Sequence, residues 1–213
     1  EDVSQEETQP VPISLPNPTC SIYPLSNYSF DDGKKDCAPE RDTSSHERFL
    51  RMRKNYERQG TRRTVEAVLL VHNHGHPHLL VLQVNDTFFK LPGGRLRPGE
   101  TEVEGLKRKL NSKLAPEHSD DAPVWEVGEL LCTWYRPSYD NLMYPYIPPH
   151  VTNCKENRSV YLVRLPAKAL FSLPSNLKLR AVPLFELYDN ANKYGPLVST
   201  LPQVLSRFAF SCM

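Results

Sequence analysis

The residues best suited to phosphate chemistry lie between positions 88 and 114. A glycine pair, Gly93-Gly94, precedes a carboxylate at Glu100 and a guanidinium at Arg108, which lies in a helical run. Phosphate-processing sites of this kind hold Mg²⁺ through several carboxylates on one helical face. Residues three and four apart share such a face. The residue types at positions 109, 112 and 113 therefore decide whether this helix can hold a metal.

The spacing resembles the Nudix box, G-x5-E-x7-R-E-U-x-E-E-x-G-U, in which U is a bulky aliphatic residue. Four positions match the pattern, namely Gly94, Glu100, Arg108 and Leu110. The three catalytic glutamates are replaced by Lys109, Ser112 and Lys113, and the closing pair by Ala115-Pro116. Two ammonium groups and a hydroxyl disfavour a divalent cation. We therefore predict a degenerate Nudix box in a protein that is not an enzyme and has no metal or other cofactor.

Other hypotheses follow from the same residues. Gly94, Glu100 and Arg108 would suit a Nudix hydrolase of dinucleoside polyphosphates with atypical ligands, or a cleft that binds such nucleotides without turnover. A protein-interaction scaffold is a further class. Its evidence is a predicted insertion at residues 136–157 that contains Tyr144-Pro145-Tyr146-Ile147-Pro148, since long loops inside compact domains are usually functional.

Composition restricts the class of protein. A chain of 213 residues suits one domain with extensions. The net charge of +1 gives no general basic field, so any RNA affinity must come from stacking and base-edge contacts. The five widely spaced cysteines argue for a reducing compartment and against a disulfide framework or zinc site. No apolar run reaches the roughly 18 residues of a membrane span.

The chain divides into three predicted parts. Residues 1–19, acidic and then proline-rich, predict a disordered or extended tail. Residues 20–60 predict an N-terminal arm and a helix, which begins at the capping box Ser44-x-x-Glu47 and ends at Gly60. The spaced aromatic residues of the arm favour packing on the domain or on a second subunit over a solvated linker. Residues 61–213 form the Nudix-like domain.

Two β-branched and aliphatic runs, residues 64–71 and 78–84, predict a β-hairpin. Four alternating histidines flank its turn, but no carboxylate or cysteine lies close in sequence, which favours a polar loop over a metal site: His72, His74, His76 and His78. Glu66 interrupts the first run. Because a buried carboxylate is costly unless it is bonded, Glu66 lies either on an outward face or in a site whose ligand donates hydrogen bonds.

Further elements follow from periodicity. Strands are predicted at residues 124–135, 159–165 and 179–182, and helices at residues 184–190 and 197–208. The buried stripe of the box helix is predicted to comprise Val103, Leu106, Leu110 and Leu114. Glu102 and Glu104 suit a solvated helix start, where acidic residues complement the macrodipole.

Phe88 and Phe89 are adjacent in a predicted strand. Adjacent strand residues face opposite sides, so one phenylalanine is expected in the core and the other exposed. An exposed aromatic ring beside a cleft is a good platform for a nucleic-acid base.

Several long strings resemble one family, the small (25-kilodalton) subunits of pre-mRNA cleavage factor I. They include residues 64–69, 88–94, 104–108, 144–148, 183–190 and 194–196, and the resemblance runs from about Ile22 to Phe210. It implies an α/β fold, a Nudix-like α/β/α sandwich with a mixed sheet, that binds RNA without hydrolysing nucleotides. It also implies a nuclear homodimer that recognises single-stranded UGUA, recruits a larger RRM-containing subunit and acts with the poly(A) machinery.

The resemblance further implies which residues contact RNA: Glu40, Arg48, Glu66, Thr87, Phe88, Phe89, Leu91, Tyr194 and Gly195. The residue types suit that role. A carboxylate accepts from the N–H groups of guanine or uracil, an arginine stacks on a base or bonds its edge, and a glycine lets the backbone approach closely. Familiar members keep one glutamate of the catalytic set, whereas this chain keeps none of the three.

Overall fold

The computed structural model describes residues 17–35, 42, 44–84, 88–116 and 123–213. The strands are β1 (Thr19–Ile22), β2 (Tyr28–Lys35), β3 (Arg62–Asn73), β4 (His76–Val84), β5 (Phe88–Lys90), β6 (Gly93–Arg95), β7 (Glu126–Arg136), β8 (Glu156–Arg164), β9 (Ala169–Pro174), β10 (Leu177–Pro183) and β11 (Ala209–Cys212). The helices are α1 (Ser45–Gln59), α2 (Glu102–Leu114), α3 (Leu184–Leu187), α4 (Ala191–Tyr194) and α5 (Pro196–Leu205).

The central sheet has the order β10-β4-β3-β8-β7 and is mixed, because β3 and β8 run parallel while the other pairs are antiparallel. The predicted hairpin is confirmed, with β3 pairing β4 over residues 70–73. Beyond that point the two strands take different partners. Residues 64–66 of β3 pair with β6, and residues 82–84 of β4 pair with β5. This change of partner opens the sheet at one end.

Strand alternation assigns the two faces of β3 to two cores. Val68 and Leu70 pack in one core with α5, β1 and residues of β8, whereas Val65, Ala67 and Leu69 pack in the other with α2 and β9. The result is the α/β class and layered arrangement that the sequence predicts. Glu66 lies two residues before Val68, so its side chain is on the same face of β3 as Val68 and Leu70. Glu66 therefore faces the side of the first core and does not lie on an outward face.

The N-terminal arm packs on the domain. Its strand β1 pairs in parallel with β11, and β2 pairs in parallel with β9. Helix α1 begins at Ser44, whose hydroxyl accepts a hydrogen bond from Glu47 N–H, and ends at Gly60 with φ +68°. The predicted tail lies almost entirely outside the described residues.

Two details of the helices differ from expectation. The buried stripe of α2 is Leu106, Leu110 and Leu114, whereas Val103 is 41% exposed. The stripe follows a strict four-residue spacing, so Glu102 and not Val103 takes the inward position of the first turn. There Glu102 accepts hydrogen bonds from Ser159 and Tyr161, which corrects its assignment to a solvated helix start. The helix predicted at 184–190 is a single turn, Leu184–Leu187.

Candidate functional site

A cleft of about 410 Å³ lies where β3 and β4 separate, between the start of α1 and the α4–α5 junction. All the described members of the predicted site line it: Arg48, Glu66, Phe88, Phe89, Leu91, Tyr194 and Gly195. Glu40 and Thr87 lie outside the described residues. The structure therefore brings together residues that come from four separate parts of the sequence.

One wall of the cleft is aromatic. Phe88 is 59% exposed, and Phe89 packs its ring 4.8 Å from that of Tyr194, between centroids, and against the first core. The expectation that the two phenylalanines face opposite sides is confirmed. Phe88 thus offers a free ring face beside the cleft, while Phe89 fixes the wall behind it.

Tyr194 is held in place from two sides. Its hydroxyl donates to the Glu186 carboxylate, which also pairs with Lys193 at 2.8 Å. Gly195 follows with φ +83° and precedes Pro196 at the start of α5. An L-residue strains at this φ, so glycine is what allows α4 to end and α5 to begin without displacing the tyrosine ring.

The opposite wall is ionic and is organised around Glu156, which is fully buried. Its carboxylate accepts from Thr64 at 2.8 Å and lies 3.2 Å from Arg62, 3.0 Å from Arg136 and 3.6 Å from Arg158. Burial alone would raise the pKa of Glu156, but the three guanidinium groups outweigh it and lower the pKa to about 2. Glu156 is therefore a permanent anion that holds the arginines in position.

Glu66 is the second carboxylate of this wall and is bonded differently. Burial raises its pKa, and attraction to Arg158, whose Nη1 lies 3.4 Å away, offsets only part of that rise. Among the described residues, no group donates a hydrogen bond to its carboxylate. A carboxylate with several unfilled acceptor sites is costly in a protein interior. The geometry suits a ligand that brings N–H donors to this position.

Arg48 lies over the same wall from the first turns of α1. Burial lowers its pKa, and the neighbouring Arg136 lowers it further, while Glu156 and Asp42 act in the opposite direction. Arg48 therefore lies with Arg136 and Arg158 in the lining of the cleft.

The box helix retains its scaffold. Arg108 donates two hydrogen bonds of 2.6 Å to the Glu100 carboxylate, which also accepts from the N–H of Arg97. These bonds lower the pKa of Glu100 to about 2. Gly93 has φ +153°, and a Cβ there would lie 2.1 Å from the Val65 carbonyl oxygen, so only glycine lets β6 pair with β3. Glu100 is thus engaged by the Arg108 side chain and by the backbone of Arg97.

The positions of the lost glutamates carry positive charge into the same region. The aliphatic part of Lys109 covers Gly94, and Lys113 is half-buried. Burial lowers the pKa of Lys113 to about 8, with a further contribution from Lys90. Within the part of the chain that the structure describes, no group of three His, Cys, Asp or Glu side chains is arranged to hold a metal ion.

Sequence reasoning missed the ionic wall, in which Arg136 and Arg158 line the cleft beside Trp134 while Glu156 lies buried behind them. A signal was present in β8, where Glu156, Arg158, Val160 and Leu162 share one face and alternate with residues of the opposite face, which packs in the second core. The apolar end of that row predicts a core face, and its charged end indicates a polar site at the edge of that core.

Comparison with known proteins places these features in a family. A model of the NUDIX_2 family, described as a nucleotide hydrolase, matches residues 18–208. Pre-mRNA cleavage factor Im 25 kDa subunit 2 of Arabidopsis thaliana is 56% identical over 191 residues, 90% of this chain and 94% of that protein. The chain belongs to the Nudix-type family of 25-kDa cleavage factor Im subunits.

Two further relatives agree with this membership. Pre-mRNA cleavage factor Im 25 kDa subunit 1 of Arabidopsis thaliana is 47% identical over 90% of this chain and 86% of that protein. Cleavage and polyadenylation specificity factor subunit 5 of Dictyostelium discoideum is 44% identical over 90% of this chain and 95% of that protein. The family resemblance and the α/β Nudix fold predicted from sequence are confirmed. Across the described residues, no helix is long and apolar enough to cross a membrane.

Proposed function

We propose that this chain binds single-stranded RNA in the cleft and does not hydrolyse nucleotides. It would serve as a small subunit of the nuclear machinery that processes mRNA 3′ ends, as the names of its relatives suggest. One observation carries the proposal: within 4 Å, the Glu66 carboxylate is ion-paired among the described residues with Arg158 alone, and it faces the same cleft as the exposed Phe88 ring.

The chemistry of the two walls favours an unpaired base as ligand. A base can stack on Phe88 and at the same time present its N–H groups to Glu66, which accepts from guanine N1 and N2 or from uracil N3. Adenine and cytosine lack an imino N–H on that edge, and a wrong base would leave the carboxylate unpaired. Arg48 and Arg158 supply donors for carbonyl oxygens. This combination fits the G and U positions of a UGUA element.

The further partners follow from the family. We propose a homodimer that recruits a larger RRM-containing subunit and acts with other polyadenylation factors. The insertion predicted at 136–157 lies between β7 and β8, and Tyr146 and Ile147 there are about half exposed. Such exposed side chains suit a protein partner. Loss of larger-subunit binding on Tyr146→Ala, with RNA affinity unchanged, would support this assignment.

The RNA-binding proposal is tested by fluorescence polarisation with a labelled RNA that contains UGUA and with a scrambled RNA of equal composition. Phe88→Ala removes the stacking platform, which is worth about 1–3 kcal/mol per base, so affinity should fall roughly 5- to 150-fold. Phe185→Ala is the matched control, because Phe185 is 69% exposed and does not line the cleft. Equal affinity for both RNAs would contradict the proposal.

Nudix-type chemistry is the competing function, favoured by the retained Gly94, Glu100 and Arg108 and by the match to a family described as a nucleotide hydrolase. We expect no release of phosphate or mononucleotide from a dinucleoside tetraphosphate with Mg²⁺. Turnover that disappears in Glu100→Gln would refute the proposal. Isothermal titration with the same nucleotide would detect binding without turnover, because it measures affinity even when no product forms.

A further inference from the structure

A second groove, distinct from the cleft, is lined by arginines. It has a volume of about 440 Å³ and lies between the end of α1, the start of β3 and the loop that follows β6. Its charged residues are Arg58, Arg63, Arg95 and Arg97. Four like charges around one groove are unusual in a chain whose net charge is +1.

These arginines are poorly neutralised. Arg63 lies 3.3 Å from Glu102, but among the described residues it is the groove's only arginine with a carboxylate within 4 Å. Arg58 donates to the Asn55 amide and Arg95 to the Gln59 amide, both uncharged. The nearby Glu100 is engaged by Arg108. By contrast, the exposed Arg164 and Arg207 each pair with a glutamate, at 2.7 Å and 3.0 Å.

Two elements connect the groove to the cleft. Ser45 and Arg48 at the start of α1 line the cleft, whereas Arg58 and Gln59 at its end line the groove. A helix rises 1.5 Å per residue, so the far ends of the two sites, at Ser45 and Gln59, lie about 21 Å apart along α1. Strand β6 makes a second link, because Gly93 pairs with Glu66 of the cleft and Arg95 extends into the groove.

The groove's lining differs from that of the cleft. Among the described residues that line it, there is no aromatic side chain on which a base could stack and no carboxylate that could accept from a base edge. Arginine forks suit phosphate oxygens, to which they donate bidentate hydrogen bonds. The groove therefore has the composition of a backbone site, which contributes affinity without reading sequence.

We propose that the arginine groove binds the phosphodiester backbone of the RNA whose bases occupy the cleft. This inference rests on the proposed function and names a second contact surface for the same ligand. At a phosphate spacing of about 3.4 Å per stacked nucleotide, a strand needs about six nucleotides to span 21 Å. An RNA that only fills the cleft would leave the groove empty.

The test compares the tetranucleotide UGUA, which is too short to reach from the cleft into the groove, with a long RNA that carries about ten cytidines on each side of UGUA, by fluorescence polarisation between 50 and 200 mM salt. The full chain should bind the long RNA more tightly and with a steeper salt dependence. The Arg95→Gln/Arg97→Gln double variant should bind the short RNA as wild type does.

The expected size of the effect follows from counterion release. Each single-strand phosphate contact contributes about 0.7 to the slope of log affinity against log salt. Removing two contacts should lower the slope for the long RNA by about 1.4. Between 50 and 200 mM salt, the affinity of the variant should therefore fall by a factor that is about seven times smaller than the factor for wild type. The Arg164→Gln/Arg207→Gln control makes the same change in net charge outside both sites, and its slope should equal that of wild type.

The outcomes separate the two proposals. If wild type does not prefer the short UGUA RNA over a scrambled one, the proposed function fails. If it does, but the double variant and the control behave alike on the long RNA, the groove proposal fails. Equal loss of short and long RNA would also overturn it, because the arginines would then act on the cleft. Binding of poly-glutamate that depends on Arg95 and Arg97, with long-RNA affinity unchanged, would assign the groove to an acidic protein instead.

Discussion

Glu66→Gln should weaken RNA binding while leaving the free protein at least as stable as wild type. The substitution keeps the shape of the side chain and removes its charge. An amide has only one acceptor oxygen and turns two N–H groups toward the cleft, so it cannot accept from two donors of a base. Hydrogen bonds to a charged acceptor contribute about 1.5–3 kcal/mol, which corresponds to a roughly 10- to 150-fold rise in Kd.

The same substitution should lower RNA affinity but should not lower the free energy of unfolding. Because burial raises the pKa of Glu66, its contribution to the free energy of unfolding is fully present below its ordinary pKa of 4.5 and is lost as the pH rises through the folded-state pKa. Glutamine stays neutral throughout. The variant should therefore match wild type in urea unfolding near pH 5 and equal or exceed it near pH 8, since Arg158 keeps Glu156 as a partner.

Glu156→Gln is the matched comparison, because the pKa of this carboxyl is lowered to about 2. The difference from 4.5 corresponds to roughly 3 kcal/mol of stability, which is present above pH 4.5 and lost as the pH falls toward 2. Glu156→Gln should lose about that amount at pH 7. If Glu66→Gln lost as much at pH 8, or kept wild-type Kd for UGUA RNA, the idea that Glu66 awaits a ligand would be refuted.

Three further predictions concern the scaffold and the box. Leu110→Ala should cost about 2–5 kcal/mol in urea unfolding, because the side chain is fully buried under the sheet; a cost within 0.5 kcal/mol would contradict its place in the core. Gly93→Ala should disrupt the β3–β6 pairing and abolish RNA binding, whereas Gly75→Ala, at φ +76° in open space, should cost only about 1–3 kcal/mol in stability and leave Kd unchanged. The variant Lys109→Glu/Ser112→Glu/Lys113→Glu, which places three carboxylates on α2, should bind Mn²⁺ with an affinity measurable by isothermal titration. Equal titration curves for wild type and this variant would show that charge at these positions does not decide metal binding.

The sequence predicts what depends on local periodicity. Ser44 and Gly60 indicate the two ends of helix α1. Two aliphatic runs on either side of Gly75 and Pro77 indicate the β3–β4 hairpin. The strands β1 and β11 were not predicted, because each has four residues and is stabilised by a partner at the other end of the chain. Short strands of this kind carry little local signal.

The candidate site is also only partly predictable from the sequence. Its members come from separate strings whose family resemblance is recognisable, and the structure brings the described ones together. The ionic wall depends on register: Arg62 and Arg136 reach Glu156 because both lie directly opposite it in neighbouring strands. Register is set by the whole sheet, so charge pairs of this kind cannot be inferred from residue types alone.

Residues 19–22 are synthesised long before residues 209–212, with which they pair. During translation β1 therefore has no partner until almost all of the domain has left the ribosome, and Cys20 and Ile22, which are buried in the finished fold, stay uncovered in the meantime. Contacts so distant in sequence form slowly. The pairing acts as a final closing step, so a polypeptide interrupted before residue 209 would display an open strand edge that chaperones or proteases can recognise.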